Sequence, residues 1–149
     1  MIAETRVMPL RRDAKIELLR KVPLFQRFPR RELARVAALA EEISYPQGVP
    51  LLRKGSRDDG FFILLKGEVD VRQGARLLRT LKRGQFFGEI ALLGGVARTA
   101  TVTTGTPVDV LRISGTDFRK LLRGSPTLAL KVLEELADRL QTTALAGQI

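Results

Sequence analysis

The amino-acid sequence predicts an α+β protein that is mainly β: a β-roll of the jelly-roll type (a double-stranded β-helix) flanked by short N-terminal helices and a hinged pair of C-terminal helices. Three observations support this fold class. Between residues 44 and 113, glycines divide the chain into short β-prone segments, with turns at intervals of roughly 8–12 residues. On both sides of this region the apolar residues follow the helical period. The length of 149 residues, without internal repeats, fits one domain.

The N-terminal part is predicted to hold a basic arm, residues 1–12, followed by two helices within residues 13–43. The helices are expected at residues 13–22 and at about 29–43. Asp13 is the candidate N-cap of the first helix, because its carboxylate can accept from an unpaired backbone N–H. Pro29 suits the first turn of the second helix, whose apolar residues recur at helical spacing.

Residues 44–113 form the predicted β-roll. The apolar run from Phe61 to Leu65 is typical of a strand buried on both faces. The alternation from Glu68 to Val71 is typical of a strand with one face in the core. The β-prone segments are VPLLRKG, GFFILLKG, EVDVRQG, ARLLRTLKRG, RTATVTTG and PVDVLRIS. Residues 86–102 contain the one α-prone interruption of the roll.

Residues 114–146 are predicted to form the C-terminal helices. Ser114, with Asp117 three residues later, is typical of a capped helix start. The Gly-Ser-Pro sequence at 124–126 breaks the helix before a long amphipathic stretch. One face of that stretch is apolar and is formed by Leu133, Leu136, Ala137 and Leu140. This face is expected either to pack within the chain as a lid or to pair with a second copy.

The composition excludes several kinds of chemistry. The chain has no His and no Cys, so the usual zinc, haem and iron–sulfur ligand sets cannot be assembled, and the commonest general base is missing. Catalysis by carboxylates or lysines is not excluded, but no pattern points to it. We therefore expect no enzyme activity, no metal and no cofactor. The absence of Cys and of an apolar run of about 20 residues predicts a cytoplasmic location without a transmembrane segment.

The net charge of +10 indicates an acidic partner or ligand. Basic residues are concentrated in residues 1–31, where nucleic acid, anionic lipid or an acidic protein surface could bind. The alternative is a solvated helical face with a mobile arm, and no aromatic residues alternate with the basic ones as a single-strand binding surface would require.

The sequence FFGEIALLGGVARTATV, residues 86–102, combines groups that suit a nucleotide. A short helix starting at Gly88 would present unpaired N–H groups to an anion, and glycine lets a ligand approach the backbone closely. Arg98, returned by the loop at Gly94 and Gly95, could close over the same anion with a fork suited to phosphate. Glu89 cannot bind phosphate but can accept from a neighbouring sugar hydroxyl.

This stretch resembles the phosphate-binding cassette of cyclic nucleotide-binding domains, the family of the catabolite activator protein, protein kinase A regulatory subunits and cyclic nucleotide-gated channels. The family cassette reads F-G-E-[LIM]-A-L-[LM], a short variable loop, and R-[ASTG]-A-[TS]-V. Residues 87–93 and 98–102 supply every element. The resemblance extends over roughly residues 22–145 and includes the sequence LLKGEVDV at 64–71.

The resemblance implies roles for the cassette residues. Arg98 is expected to pair with the cyclic phosphate, beside Gly88 and the backbone N–H groups of Glu89, Ile90 and Ala91. Glu89 is expected to accept from the ribose 2′-hydroxyl. Taken singly, Glu89 could instead be only a carboxylate at a helix N-terminus, and Arg98 only a solvated strand residue.

The resemblance also implies residues that surround the base. Thr99 is expected to offer its hydroxyl to the phosphate or to a purine in the syn conformation. Val71 and Leu81 match positions whose side chains line the base pocket, a role compatible with the core. On the last helix, the expected lid, Arg139 matches a stacking residue of the channel domains, and Thr143 matches a base-contacting threonine of the activator proteins. Each of these two could instead lie on an exposed helix face.

The function predicted from the sequence is a cyclic nucleotide-binding regulatory or sensor domain whose C-terminal helix moves on ligand capture. cAMP is favoured, and cGMP is kept open by Thr99. No recognition helix can be placed in the chain, and channel and kinase regions are absent as well, so no attached DNA-binding or catalytic domain is expected in this chain. It is expected to be either a stand-alone sensor or a domain cut from a larger protein, and its partner would be an effector protein or a second copy. The alternative function is a basic nucleic-acid-binding or protein-interaction module with a vestigial pocket.

Overall fold

The fold is described by a computed structural model of the backbone at residues 5–8, 11–56, 60–88 and 98–147, and of the side chains of residue 5 and of residues 11–56, 60–88 and 98–141. Its helices are α1 (Arg12–Arg20), α2 (Arg30–Leu39), α3 (Gly115–Gly124) and α4 (Pro126–Gly147), with a 3-10 turn at Pro23–Phe25. Its strands are β1 (Arg6–Met8), β2 (Glu41–Tyr45), β3 (Pro50–Leu52), β4 (Phe61–Lys66), β5 (Val69–Gln73), β6 (Arg76–Leu81), β7 (Phe86–Phe87), β8 (Thr101–Thr104) and β9 (Val108–Ile113). The predicted fold class is confirmed.

Two antiparallel sheets form the roll within these residues. One sheet has the strand order β1-β2-β9-β4-β7 and the other has the order β3-β8-β5-β6. Strand β9 lies between two strands that come much earlier in the chain, since Val110 is opposite Ile43 on one side and Leu64 on the other. The chain therefore crosses between the sheets several times before either sheet is complete.

Two apolar clusters fix the layers of the molecule. The cluster between the sheets joins Ile43, Leu64 and Val110 of the first sheet to Val69 and Val102 of the second. The other cluster lies between the first sheet and the helices. Burial in both places is the main source of stability, because each removes apolar surface from water.

Strand β4 contributes to both clusters, as the apolar run predicted. Phe61 and Ile63 face the helices, whereas Phe62 and Leu64 face the second sheet. The Phe61 ring stacks on the Phe118 ring of α3, with centroids 4.0 Å apart. Alternate side chains of a strand point to opposite faces, so a strand covered on both faces must be apolar throughout.

The first two helices differ from the prediction at their ends. Helix α1 begins at Arg12 after Arg11, without a side-chain cap, so the prediction of Asp13 as N-cap is wrong. Asp13 lies in the first turn, where its Oδ1 accepts from Arg30 Nη2 at 2.9 Å. Helix α2 ends at Leu39 rather than at Ile43. The helical spacing continues to Ile43, but burial of this β-branched residue between the sheets and pairing with β9 favour a strand.

The predicted basic arm also contains secondary structure. Residues 6–8 form β1, which pairs with β2 so that Arg6 is opposite Ser44 and Met8 is opposite Glu42. Helix α1 already includes Arg12. The sequence did not predict this strand, because three residues are too few to show a period of two.

The C-terminal helices agree with the prediction. The Ser114 Oγ accepts from the backbone N–H of Asp117 at 3.2 Å, which satisfies one of the unpaired donors at the start of α3. Ser125 is extended between the two helices, and Pro126, which fits only the first turn of a helix, opens α4. The packed side of α4 carries Leu128 and Val132.

Candidate functional site

A cavity of about 460 Å³ opens between the second sheet, the end of β7 and helix α4. Six of the ten residues predicted for the site line this cavity: Val71, Leu81, Gly88, Arg98, Thr99 and Arg139. The remaining lining residues are Leu52, Gln73, Leu78, Arg79, Phe87, Ala100, Val102, Leu136 and Leu140. Most of the wall is apolar, and the charged residues among those described are all arginines, so the site suits an anion with an apolar part.

Gly88 brings two backbone segments closer than any other residue would permit. Its φ angle is +99°, in the left-handed region that favours glycine. A Cβ atom built there would lie 2.5 Å from the Gly60 carbonyl oxygen and 3.3 Å from Arg98 Nη1. With this φ angle Gly88 is not itself helical, so the helix predicted to start at Gly88 could start only after it.

Arg98 is a buried cation held by backbone carbonyls. The residue is only 4% exposed, so the alternative that it is a solvated strand residue is wrong. Its Nη1 donates to the Gly88 oxygen at 2.6 Å, and its Nη2 donates to the Gly60 oxygen at 2.9 Å. Its backbone N–H and C=O bond to Ser56 and Gly55, each at 2.8 Å. Hydrogen bonds thus hold both the backbone and the guanidinium group of Arg98 in place before a ligand binds.

The wall near Arg98 is formed by the second sheet and by β7. Leu81 is 2% exposed, whereas Val71 is half-buried at the cavity surface. The Phe87 ring stacks on the Phe62 ring with centroids 5.0 Å apart, which positions the residue before Gly88. Thr99 is exposed, and its carbonyl oxygen accepts from Gln73 Nε2 at 3.0 Å.

Arg139 attaches α4 to the strand that leads into the predicted cassette. Its Nη2 donates to the Phe86 carbonyl oxygen at 2.5 Å, and its guanidinium carbon lies 4.5 Å from the centroid of the Phe86 ring. Its Nε pairs with Glu135 Oε1 at 3.2 Å. On the other side, Arg79 Nη2 approaches the Arg139 carbonyl oxygen at 3.4 Å. The alternative that Arg139 merely lies on an exposed helix face is wrong, since its side chain is only 13% exposed.

The remaining predicted residues lie outside what the structure describes. These are Glu89, Ile90 and Ala91, together with the side chain of Thr143. The predicted interaction of Glu89 with a ribose hydroxyl and the loop at Gly94 and Gly95 therefore stay predictions.

Residues that the sequence did not single out also line the cavity. The most informative are Gln73 and Arg79, which add polar groups from outside the cassette. Each is an ordinary surface-type residue of a β-strand, so no local pattern marks it. The pairing of β5 with β6, which places Val71 opposite Arg79, is what brings them to the site.

Across the described ranges no group of three or more His, Cys, Asp or Glu side chains is placed to hold a metal ion. Within those ranges no helix is both long enough and apolar enough to pass through a bilayer.

Comparison with known proteins agrees with this geometry. The family model described as "Cyclic nucleotide-binding domain" matches residues 42–125, more than half of the chain. A cGMP-dependent protein kinase, egl-4, of Caenorhabditis briggsae is 36% identical over an alignment of 120 residues that covers 76% of this chain and 16% of the kinase. A cAMP-dependent protein kinase regulatory subunit of Aspergillus fumigatus is 34% identical over 106 residues, which are 70% of this chain and 26% of the subunit. The chain thus spans about a quarter or less of these relatives.

A solved structure gives the same result for the fold. The Thermus thermophilus catabolite activator protein superposes with a TM-score of 0.73 at 27% identity, over 83% of this chain and 61% of that one. The share of this chain that superposes is larger than the share matched by the family model.

Proposed function

This chain belongs to the cyclic nucleotide-binding domain family, and we propose that it captures a cyclic nucleotide in the 460 Å³ cavity and transmits the capture through α4 to a partner. In this role it is a regulatory module without catalysis of its own. The observation that carries the proposal is the buried Arg98 guanidinium, fixed by two carbonyl oxygens at the wall of an apolar cavity beside Gly88.

The phosphate is proposed to bind at the Arg98 end. A cyclic phosphate carries one negative charge, and a guanidinium offers it paired N–H donors in a rigid fork. Gly88 lines the cavity beside Arg98, and Glu89, Ile90 and Ala91 follow directly in the sequence with N–H groups for the same anion. Glu89 would then accept from the ribose 2′-hydroxyl.

The base is proposed to lie against Val71 and Leu81, towards α4. Arg79 and Arg139 both line the cavity and both are hydrogen-bond donors without acceptor groups. Guanine presents acceptors at O6 and N7, whereas adenine presents a donor at N6, and arginine is the usual partner of the guanine edge. We therefore propose that cGMP binds more tightly than cAMP, which reverses the order that the sequence alone favoured.

The relatives do not decide the base, because one is named for cGMP and the other for cAMP at similar identity. They do support a regulatory role within a larger assembly. The partner is proposed to contact the outward side of α4, where Leu130 and Leu133 are 56% and 60% exposed. That partner would be an effector protein or a second copy.

Signal transmission is proposed to use the contact between Arg139 and Phe86. Phe86 is separated from Gly88 only by Phe87, so movement of the cassette around a phosphate would move the carbonyl that Arg139 holds. A ligand can shift an equilibrium between two positions of α4 only if it contacts them differently. Leu136, Arg139 and Leu140 supply that difference, since they line the cavity from α4.

The first test is calorimetric titration of cAMP, cGMP and linear GMP into the wild-type protein and Arg98→Ala. Removing one partner of a buried charge interaction should weaken binding by about 100-fold or more. Arg72→Ala is the matched control, because Arg72 is an exposed arginine of β5 in the second sheet, which forms the wall near Arg98. Both variants are first checked for cooperative unfolding.

The outcomes separate the parts of the proposal. Failure of the folded wild-type protein to bind either cyclic nucleotide would refute it, as would equal affinity in Arg98→Ala. For the base preference, Arg79→Ala should reduce the ratio of cGMP to cAMP affinity by about tenfold. For the helix, bound nucleotide should slow amide hydrogen exchange in residues 126–141, and an unchanged rate would contradict the role given to α4.

A further inference from the structure

A second cavity, of about 340 Å³, lies between α2 and α3 where α3 meets α4. We call it the helix groove. It is lined by residues within 28–39 on one side and within 120–128 on the other. None of these residues lines the nucleotide cavity, so the groove is a separate site on the part of the molecule that the structure describes.

The floor of the groove is apolar. Phe28, Val36 and Leu128 are between 2% and 5% exposed and belong to the core beneath the helices. Leu39 and Leu121 are half-buried and pack against that core from the two walls. Cavities of this size with mostly apolar linings are typical of small-molecule sites.

The rim of the groove is cationic. Arg35 on α2 and Lys120 on α3 are exposed, and each has an aliphatic stem that can lie along an apolar wall while its charge stays in water. Glu32, which is half-buried, is the acidic residue among those that line the groove. The lining charges sum to a positive value, in keeping with the net charge of +10 for the chain.

The length of the groove argues against a docked helix. On the α2 side the lining runs from Glu32 to Leu39, about 10 Å at 1.5 Å per residue, but on the α3 side it runs only from Lys120 to Gly124, about 6 Å. An amphipathic helix that binds through anchors at i, i+3, i+4 and i+7 needs about 10 Å of contact on both walls. A single alkyl chain with one charged end is much thinner than a helix, so it can lie along the longer α2 wall alone.

We propose that the helix groove binds a medium-chain amphipathic anion of the fatty-acid class. The alkyl chain lies on Phe28, Val36 and Leu128, and the carboxylate pairs with Arg35 and Lys120 at the rim. This site does not depend on nucleotide binding, because Arg98 and the cassette take no part in it.

The probe is decanoate below its micelle concentration, titrated by calorimetry. The test variant is the double change Arg35→Glu and Lys120→Glu, and the matched control is Lys82→Glu with Arg83→Glu, two exposed cations of the turn after β6. Decanoate affinity should fall at least about tenfold in the test variant and stay within about twofold in the control. Decylammonium, which carries a positive charge instead, should bind the test variant more tightly than the wild-type protein. Glu32→Gln should strengthen decanoate binding.

Two further arms locate the site. Ala38→Phe, which adds bulk at an exposed position of the wall, should block decanoate without unfolding the protein. Arg98→Ala and a saturating cyclic nucleotide should leave decanoate binding unchanged. The proposal is overturned if decanoate does not bind, if both charge-reversed proteins bind it equally, or if Arg98→Ala abolishes binding. An acidic helical peptide that needs Arg35 and Lys120, in a protein that ignores decanoate, would assign the groove to a macromolecule instead.

Discussion

Replacement of Gly88 by alanine tests the close approach on which the candidate site depends. The new side chain would occupy a φ of +99°, which costs an L-residue about 1–2 kcal/mol. Its Cβ would also lie 2.5 Å from the Gly60 carbonyl oxygen, a backbone atom that cannot move aside alone. Relief of such overpacking typically costs a further 1–3 kcal/mol. We expect Gly88→Ala to lower the free energy of unfolding by roughly 2–5 kcal/mol in total.

Gly55→Ala is the matched control for this substitution. Gly55 has a similar φ of +85°, but among the residues that the structure describes no atom beyond its two chain neighbours lies within 4 Å of its built Cβ. It should therefore show only the conformational cost of about 1–2 kcal/mol. Urea denaturation followed by circular dichroism measures both variants, and their difference isolates the contact with Gly60. Equal destabilisation would refute the packing of Gly88 against Gly60 and, with it, the anchoring of Arg98 to both carbonyls.

Three further changes test other parts of the molecule. Burial, together with the charge of Asp109, raises the pKa of Glu42 above its ordinary value of 4.5, although Lys15 partly opposes the shift. As the pH rises, the Glu42 carboxyl group therefore loses its proton at a lower pH in the unfolded chain than in the folded protein. The free energy of unfolding consequently falls as the pH rises from about 4.5 through the folded-state pKa. Glu42→Gln should remove that fall and should be more stable than the wild-type protein at neutral pH. The prediction is contradicted if the difference between the urea midpoints of the two proteins stays constant from about pH 4 to 8. Ser114→Ala should cost about 1 kcal/mol through the lost cap of α3, and an unchanged urea midpoint would disprove it. Arg139→Ala should speed amide exchange in the second half of α4, and exchange at the wild-type rate would show that the contact with Phe86 does not hold the helix.

The sequence predicted the strands whose pattern is local. The run from Phe61 to Leu65 predicted a strand covered on both faces because its composition alone requires that environment. Ile43 was assigned to a helix because its spacing from Val36 and Ala40 fits one, and only pairing with β9 overrides that preference.

The candidate site was predictable to the extent that it lies in one segment. Gly88 and Arg98 belong to a single cassette, so their types and spacing indicate a nucleotide. Arg79 reaches the same cavity through the pairing of β5 with β6, and the helix groove is created by α2 and α3, which are far apart in the chain. Burial of Arg98 was equally hidden, since it depends on the distant carbonyl of Gly60.

The position of β9 at the centre of the first sheet has a consequence for biosynthesis. Its neighbours β2 and β4 are complete long before it leaves the ribosome, and the edge of each strand that faces β9 has no partner until residues 108–113 emerge. Contacts of such long sequence separation make folding slow, in the range of milliseconds to seconds. Until then the nascent chain carries exposed apolar strands such as β4, which are sites for aggregation or chaperone binding. Nearly the whole domain must therefore be synthesised before any of it can fold stably.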